Sequence, residues 1–215
     1  MERVVYVDRL DAGIQLGEAL KGMETQETVV VALPRGGVVV GYEVAKVLKV
    51  PLEIVCPRKI GAPGNPEYAI GAITETGTAL LQEEVISNLS VTDSYLKKAM
   101  DKEQLEAIKR LQIFREGRPP RNLKGKRVIL VDDGLATGFT MKAALATCRE
   151  EGAAEVIVAV PVGPVDTCDE IRMLADKLIC LQTPPQFYAI GQFYEEFLPT
   201  SDKEVILLMK AKTST

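Results

Sequence analysis

Two adjacent carboxylates, Asp132 and Asp133, close the apolar run Val128 to Val131 and lead into Gly134-Leu-Ala-Thr-Gly-Phe-Thr140. In open parallel sheets, ligands bind at the carboxyl ends of strands. A loop that opens a helix offers unpaired backbone N–H groups and the positive end of the helix dipole. Thr137 and Thr140 add hydroxyl donors, and Gly138 lets a phosphate approach the backbone. Residues 136–140 are therefore suited to cradle a monophosphate. The two acids would repel that phosphate, so they must face vicinal sugar hydroxyls or a magnesium ion. Neighbouring strand residues point to opposite faces, but where the strand ends the chain turns, and both can reach one ligand. A 5-phosphorylated ribose with free 2′ and 3′ hydroxyls matches this layout. Asp-Gly also opens hairpins, but the spacing that follows Gly138 is helical.

Three further groups of residues have chemical potential. Pro34-Arg35-Gly36-Gly37 joins an apolar strand to a helix, and Arg35 offers planar donors suited to phosphate; the alternative is a tight turn with Arg35 in solvent. Arg58 and Lys59 stand at a second strand end and could neutralise a leaving pyrophosphate, or could belong to a solvated loop. Phe187, Tyr188 and Ile190 could stack on a planar acceptor or pack a local core.

The elements that must hold these residues are read from periodicity. Asp8 caps a first helix with Ala12, Leu16, Ala19 and Leu20 on one face and Gly22 as its stop. Thr28 to Leu33 and Leu52 to Cys56 are strands separated by a helix from Gly36 to Lys49. Pro57 to Pro66 reads as a mobile Gly/Pro-rich loop, and Tyr68 to Leu81 as a hairpin turning near Glu75 to Gly77. Asp93 to Arg115 is a long charged helix, and 117–125 a linker. Arg127 to Val131, Glu155 to Val160 and Lys177 to Leu181 are strands alternating with helices at Thr140 to Glu151 and Val165 to Ala175. Ser201 and Glu204 form a capping box for a last helix bearing Val205, Leu208 and Met209. The alternation predicts an α/β fold with a parallel twisted sheet flanked by helices. It is read as one domain over 1–215, with a core at about 24–182 and a small C-terminal hood at about 183–215.

Composition narrows the chemistry. The 215 residues contain no histidine, which excludes Ser-His-Asp hydrolysis and imidazole metal sites. Lys and Arg total 26 against 30 for Asp and Glu, a net charge of −4 that argues against a nucleic-acid partner. The four cysteines form no C-x-x-C pair and read as buried reduced thiols, consistent with the cytoplasm. No secretory leader and no membrane-spanning run is expected.

The segment V-D-D-x-x-A-T-G-x-T, 131–140, resembles the motif by which phosphoribosyltransferases bind 5-phosphoribosyl-1-pyrophosphate (PRPP), and is most similar to that of adenine phosphoribosyltransferase. Over nearly its full length the chain also resembles a bacterial and archaeal group of "predicted phosphoribosyltransferases". The matching segments are 33–37 (Leu-Pro-Arg-Gly-Gly), 58–67 (Arg-Lys-Ile-Gly-Ala-Pro-Gly-Asn-Pro-Glu) and 187–194 (Phe-Tyr-Ala-Ile-Gly-Gln-Phe-Tyr). The resemblance implies a phosphoribosyltransferase-like fold and a glycosyltransferase (pentosyltransferase) of nucleotide and nucleoside metabolism. That enzyme would use PRPP and Mg2+ to glycosylate a base-like acceptor, or be a PRPP or nucleotide sensor that kept the site without the chemistry. It implies that Asp132 and Asp133 hold the ribose hydroxyls with magnesium, and that Gly134 and Ala136 to Thr140, Phe139 included, surround the 5′-phosphate. Arg35, Gly36 and Gly37 become the pyrophosphate loop, often with a cis peptide, and Arg58 and Lys59 begin a mobile catalytic loop. Glu67 takes either a catalytic place near the base or a role in orienting that loop. Phe187, Tyr188 and Ile190 fall near the hood over the acceptor. The hypoxanthine-guanine enzymes carry an Asp where Ala136 stands and a Lys in the segment corresponding to 160–164, which has none here, so 6-oxopurine recognition does not carry over. Many relatives are dimers, which leaves a homodimer open alongside other oligomeric states.

Overall fold

The computed structural model describes residues 5–213. Its centre is a five-stranded, wholly parallel sheet of β1 (Thr28–Ala32), β2 (Leu52–Ile54), β6 (Arg127–Val131), β7 (Glu155–Val162) and β8 (Lys177–Gln182), in the order β2-β1-β6-β7-β8. The other elements are the helices α1 (Arg9–Leu20), α2 (Gly36–Leu48), α3 (Glu83–Asn88), α4 (Asp93–Phe114), α5 (Phe139–Glu150), α6 (Val165–Arg172) and α7 (Asp202–Lys210), a 3-10 helix η1 (Ile190–Phe193), and an antiparallel sheet of β3 (Arg58–Ala62), β4 (Asn65–Ile73) and β5 (Ala79–Leu81). This is the α/β parallel-sheet architecture that the alternating pattern predicts.

The strands are apolar on both faces because helices cover both. Val30, Ala32, Ile129, Val131, Ile157 and Ala159 pack with α2 and with Val205 and Met209 of α7. The residues between them, Val29, Val31, Val128, Leu130, Val156 and Val158, pack with Met141, Leu145 and Cys148 of α5 and Ile171 of α6. The strand sequence reverses direction between β1 and β6: the chain proceeds from β1 outward to β2 on one side, and from β6 outward to β7 and β8 on the other. The carboxyl ends of these two strands therefore border the sheet's switch point, where open α/β sheets form a crevice. Pro34 to Gly37 leaves one end and Asp132-Asp133 leaves the other.

Several sequence expectations change. Residues 57–66 are not a loop: 58–62 form β3, and β4 starts at Asn65. The Gly and Pro content misled because Ile60 and Ala62 point inward with Ile70 and Ile73 to a small core under α4, which holds the hairpin in place. Thr74, just past β4, is tied to Thr147 of α5 by a 2.7 Å hydroxyl pair. The turn expected at 75–77 separates β4 from β5. The short helix α3 was not foreseen. Ala19 is exposed; the buried face of α1 is Ala12, Gly13, Leu16, Gly17 and Leu20, because the two glycines let α1 lie close against α2. Helix α2 stops at Leu48, with Lys49 in the left-handed conformation, before Pro51. Three cysteines are buried, but Cys180 is half-buried, on the outermost strand; all four are free.

The start of the described chain meets the segment between η1 (Ile190–Phe193) and α7. Val5 and Tyr6 donate backbone hydrogen bonds to Phe193 O, and Glu195 and Glu196 donate to the carbonyls of Tyr6 and Val7. Tyr6, Phe193 and Tyr194 form a separate buried cluster joined by Phe187, Ile190 and Phe197.

Candidate active site at the switch point

The crevice is built from backbone outward. Leu33 donates its N–H to Val131 O (3.0 Å), which seats the start of the 34–37 turn on the end of β6. The Pro34–Arg35 peptide is cis. Gly36 and Gly37 then pass directly over the two acids: a β-carbon at 36 would lie 2.1 Å from Asp133 Oδ2, and one at 37 would lie 2.6 Å from Asp132 Oδ1. The resemblance implies that these glycines belong to a pyrophosphate loop. In the structure the nearest groups they make room for are the carboxylates themselves.

Asp132 is half-buried and Asp133 buried. The N–H of Asp133 donates to Asp132 Oδ1 at 2.8 Å. Burial, and then the charge of Asp133 beside it, pushes the Asp132 carboxyl well above the usual carboxylate range. Burial also raises Asp133, against the opposing pull of the Arg9 guanidinium, whose Nε donates to Asp133 Oδ2 at 2.7 Å. Tyr194 donates its hydroxyl to the Asp133 carbonyl at 2.6 Å. Neither Arg9 nor Tyr194 was assigned a role from the sequence. Arg9 lies 124 residues from Asp133, and no spacing signals that contact; Tyr194 ends one of the segments that carried the resemblance, which was the only available hint.

Beyond the acids, Leu135 N bonds to Val162 O at 2.8 Å, and Gly134 lies against Ile190, whose Cγ2 would be 2.8 Å from a β-carbon there. Ala136 and Thr137 are exposed. Thr167 at the start of α6 donates to Ala136 O at 2.8 Å and props this loop from below. Gly138 adopts φ +75° as the residue that caps α5, a left-handed conformation that favours glycine. Phe139 and Thr140 form the first turn of α5, whose free N–H groups face the loop. The Lys142 ammonium sits 5.3 Å from the Phe139 ring centre.

The other expected site residues lie further out. Arg35 turns toward α7 and pairs with Asp202 at 3.3 Å. Arg58 pairs with Glu103 of α4 at 2.9 Å. Lys59 and Glu67 are exposed on β3 and β4. Among the described residues, no hydrogen bond or ion pair joins Arg58, Lys59 or Glu67 to the acid pair or to 136–140. Phe187 packs at a tilt on Phe193 with ring centres 5.3 Å apart, Tyr188 is 82% exposed, and Ile190 borders the acid-bearing loop at Gly134. Among the described residues there is no cluster of three or more His, Cys, Asp or Glu side chains able to hold a metal, and no helix long and apolar enough to cross a membrane.

The parallel sheet thus carries an acid pair and a Thr/Gly loop at its switch point. Residues 15–197 match the family model of the phosphoribosyl transferase domain, and the chain belongs to that family. It is 42% identical over 205 residues to a Mycobacterium tuberculosis protein named "Putative phosphoribosyl transferase Rv0571c", covering 95% of this chain and 46% of that one. The chain thus spans less than half the length of that relative. The crystal structure of TT1426 from Thermus thermophilus superposes with a TM-score of 0.80 at 39% identity, over 95% of this chain and 97% of that one. A shorter similarity, 29% over 126 residues, links 58% of this chain to 23% of the mouse amidophosphoribosyltransferase.

Proposed function

We propose that the chain binds PRPP with magnesium at the switch point and transfers its 5-phosphoribosyl group to a nitrogenous base or related acceptor, releasing pyrophosphate. The observation that carries this reading is the stacking of the Gly36-Gly37 turn directly on Asp132 and Asp133, with the 136–140 loop opening α5 from the same strand end. That arrangement supports the reading by bringing two carboxylates, a helix start and a backbone turn to one crevice.

In this reading the amides of 137–140 and the hydroxyls of Thr137 and Thr140 hold the 5′-phosphate. Asp132 and Asp133 orient the ribose hydroxyls and offset the positive charge that develops on the sugar. Backbone N–H groups of 35–37 receive the pyrophosphate, and Arg35, Arg58 and Lys59 lie on the elements that would neutralise it. The acid pair fits magnesium: the two carboxylates are neighbours at the end of β6, burial raises both, and the charge of Asp133 adds to the rise at Asp132, a strain that a divalent cation relieves. Magnesium binds through one or two carboxylates plus waters and substrate oxygens, so a larger cluster is not required. It would supply charge neutralisation of the pyrophosphate. Ile190 borders the acid loop and is the candidate wall for the acceptor; Phe187 and Tyr188 sit on the same segment. Glu67 is proposed to orient the hairpin rather than to contact the acceptor, since it is exposed on β4.

A second reading, a PRPP- or nucleotide-sensing protein without transferase activity, is favoured by the pairing of Arg35 with Asp202 and of Arg58 with Glu103, which occupies both arginines with carboxylates. One assay separates the two. Pyrophosphate release from PRPP and magnesium is measured with pooled nucleobases and with none, using Asp132→Ala as control. Release that requires the pool and vanishes in the variant supports the transferase. PRPP binding without release from any base supports the sensor, and absence of PRPP binding would overturn both.

A further inference from the structure

The acid pair is not symmetric. Asp133 has its Oδ2 held by Arg9 Nε at 2.7 Å and its carbonyl held by the Tyr194 hydroxyl at 2.6 Å. Asp132 has no ion-pair partner among the described residues; its Oδ1 receives the neighbouring N–H, and the residue is half-buried rather than closed off.

Arg9 is itself held on three sides. Its Nη1 donates to the Leu198 carbonyl at 2.7 Å, its guanidinium carbon lies 3.8 Å from the centre of the Phe197 ring, and its Nε is spent on Asp133. Its side chain is 12% exposed. A planar guanidinium with a fixed fork of donors, stacked on a ring, has little freedom to leave. The ring and the carbonyl beneath it belong to the 193–198 segment, which is hydrogen-bonded to residues 5–7. Arg9 thus joins the clasp between residues 5–7 and 193–198 to one oxygen of the acid pair. Gly36 lies in the same contact, since a β-carbon there would also be 2.7 Å from Arg9 Nε.

Resting on the reading that this crevice binds PRPP, we propose that Arg9 is a positioning residue for the acid pair: it fixes the Asp133 carboxylate through Oδ2, so that its other oxygen and the Asp132 carboxylate are set to meet the ribose hydroxyls of PRPP. The clasp is what holds Arg9 in place, so the geometry of the sugar site depends on residues 193–198 as well as on the motif at 131–140.

The test is calorimetric titration of PRPP with magnesium chloride into the 215-residue chain, its Arg9→Met and Arg9→Lys variants, and Phe197→Leu, with thermal unfolding of each. Arg9→Met is expected to bind PRPP about tenfold more weakly, a loss of about 1.4 kcal/mol. Arg9→Lys, which keeps a cation opposite Asp133, is expected to recover at least half of that loss on a logarithmic scale even where its unfolding temperature matches that of Arg9→Met. Parent-like affinity in Arg9→Met, or no recovery in Arg9→Lys, overturns the proposal while leaving PRPP binding by the parent intact. If Arg9→Met fails to fold, Phe197→Leu decides: it keeps the charge and removes the platform, and must weaken PRPP about threefold, whereas unchanged affinity overturns the proposal. A parent that does not bind PRPP overturns the functional reading as well.

Discussion

Gly36 touches Asp133. A β-carbon at position 36 would lie 2.1 Å from Asp133 Oδ2, far inside van der Waals contact, so the turn after β1 and the acid at the end of β6 fit only with hydrogen as the side chain. Gly36→Ala must displace the carboxylate or the turn. Overpacking of this kind costs about 1–3 kcal/mol, which lowers the unfolding temperature by roughly 2–4 °C per kcal/mol for a chain of this size. The functional loss is expected to be larger than the loss of stability, because both displaced groups belong to the proposed PRPP site. Binding of PRPP should fall by about tenfold or more. Calorimetric titration beside a thermal melt checks both, and a destabilised variant with parent-like affinity would remove the turn from the site.

The two acids should respond differently to neutralisation. Asp133→Asn takes away the carboxylate opposite a guanidinium that is only 12% exposed. Hydrogen bonds to charged groups contribute about 1.5–3 kcal/mol, and the orphaned Arg9 adds to the loss. Asp132→Asn removes a charge that burial and Asp133 already oppose, so its folding stability should equal or exceed that of the parent. Both variants are expected to lose PRPP binding. Equal unfolding midpoints in urea for the two variants would show that the Arg9 contact does not stabilise the fold.

What the sequence disclosed was whatever is written locally. The strands β1, β6 and β7 are continuous apolar runs, and α5 follows from Met141, Ala144, Leu145 and Cys148, so the sheet and the acid-bearing loop could be read directly. The 58–73 hairpin could not, because Gly61, Pro63, Gly64 and Pro66 carry loop statistics while its stability comes from Ile60, Ala62, Ile70 and Ile73 meeting α4. Arg9 was hidden for a different reason. Its partners are Asp133, Phe197 and Leu198, residues brought together only when the start of α1 and the 193–198 segment close on the sheet. The orientation of Arg35 and Arg58 toward Asp202 and Glu103 is likewise a long-range outcome that residue type does not announce.

Arg121 shows how the second sheet is anchored to the first. Its side chain is 5% exposed and lies between Glu75 and Glu151, with Nη1 also donating to the Ile54 carbonyl at 2.8 Å. Glu75, whose side chain is 3% exposed, accepts from Cys56 N at 2.8 Å. Removing one partner of a buried ion network costs about 3–5 kcal/mol. Arg121→Met is expected to lose that much in urea unfolding, and adding Glu75→Gln should return part of it, since the stranded charge is then gone. A loss below about 1 kcal/mol, the range of exposed pairs, would show that water reaches Glu75.

Arg35 and Asp202 make the opposite kind of pair. They are 3.3 Å apart with side chains 43% and 56% exposed. Exposed pairs contribute about 0–1 kcal/mol, so Asp202→Asn should leave the melting temperature nearly unchanged. If Arg35 must exchange this partner for pyrophosphate, freeing it should tighten PRPP binding by about threefold, the ratio that roughly 0.6 kcal/mol gives. The gain should shrink as salt rises, because screening already weakens the pair in the parent. Arg35→Ala in the same titration should bind PRPP more weakly than the parent. Tighter binding by Asp202→Asn at low salt, converging with the parent at high salt, would identify the pair as a competitor of the ligand. Weaker binding would mean that Asp202 instead holds Arg35 in the orientation the pyrophosphate requires.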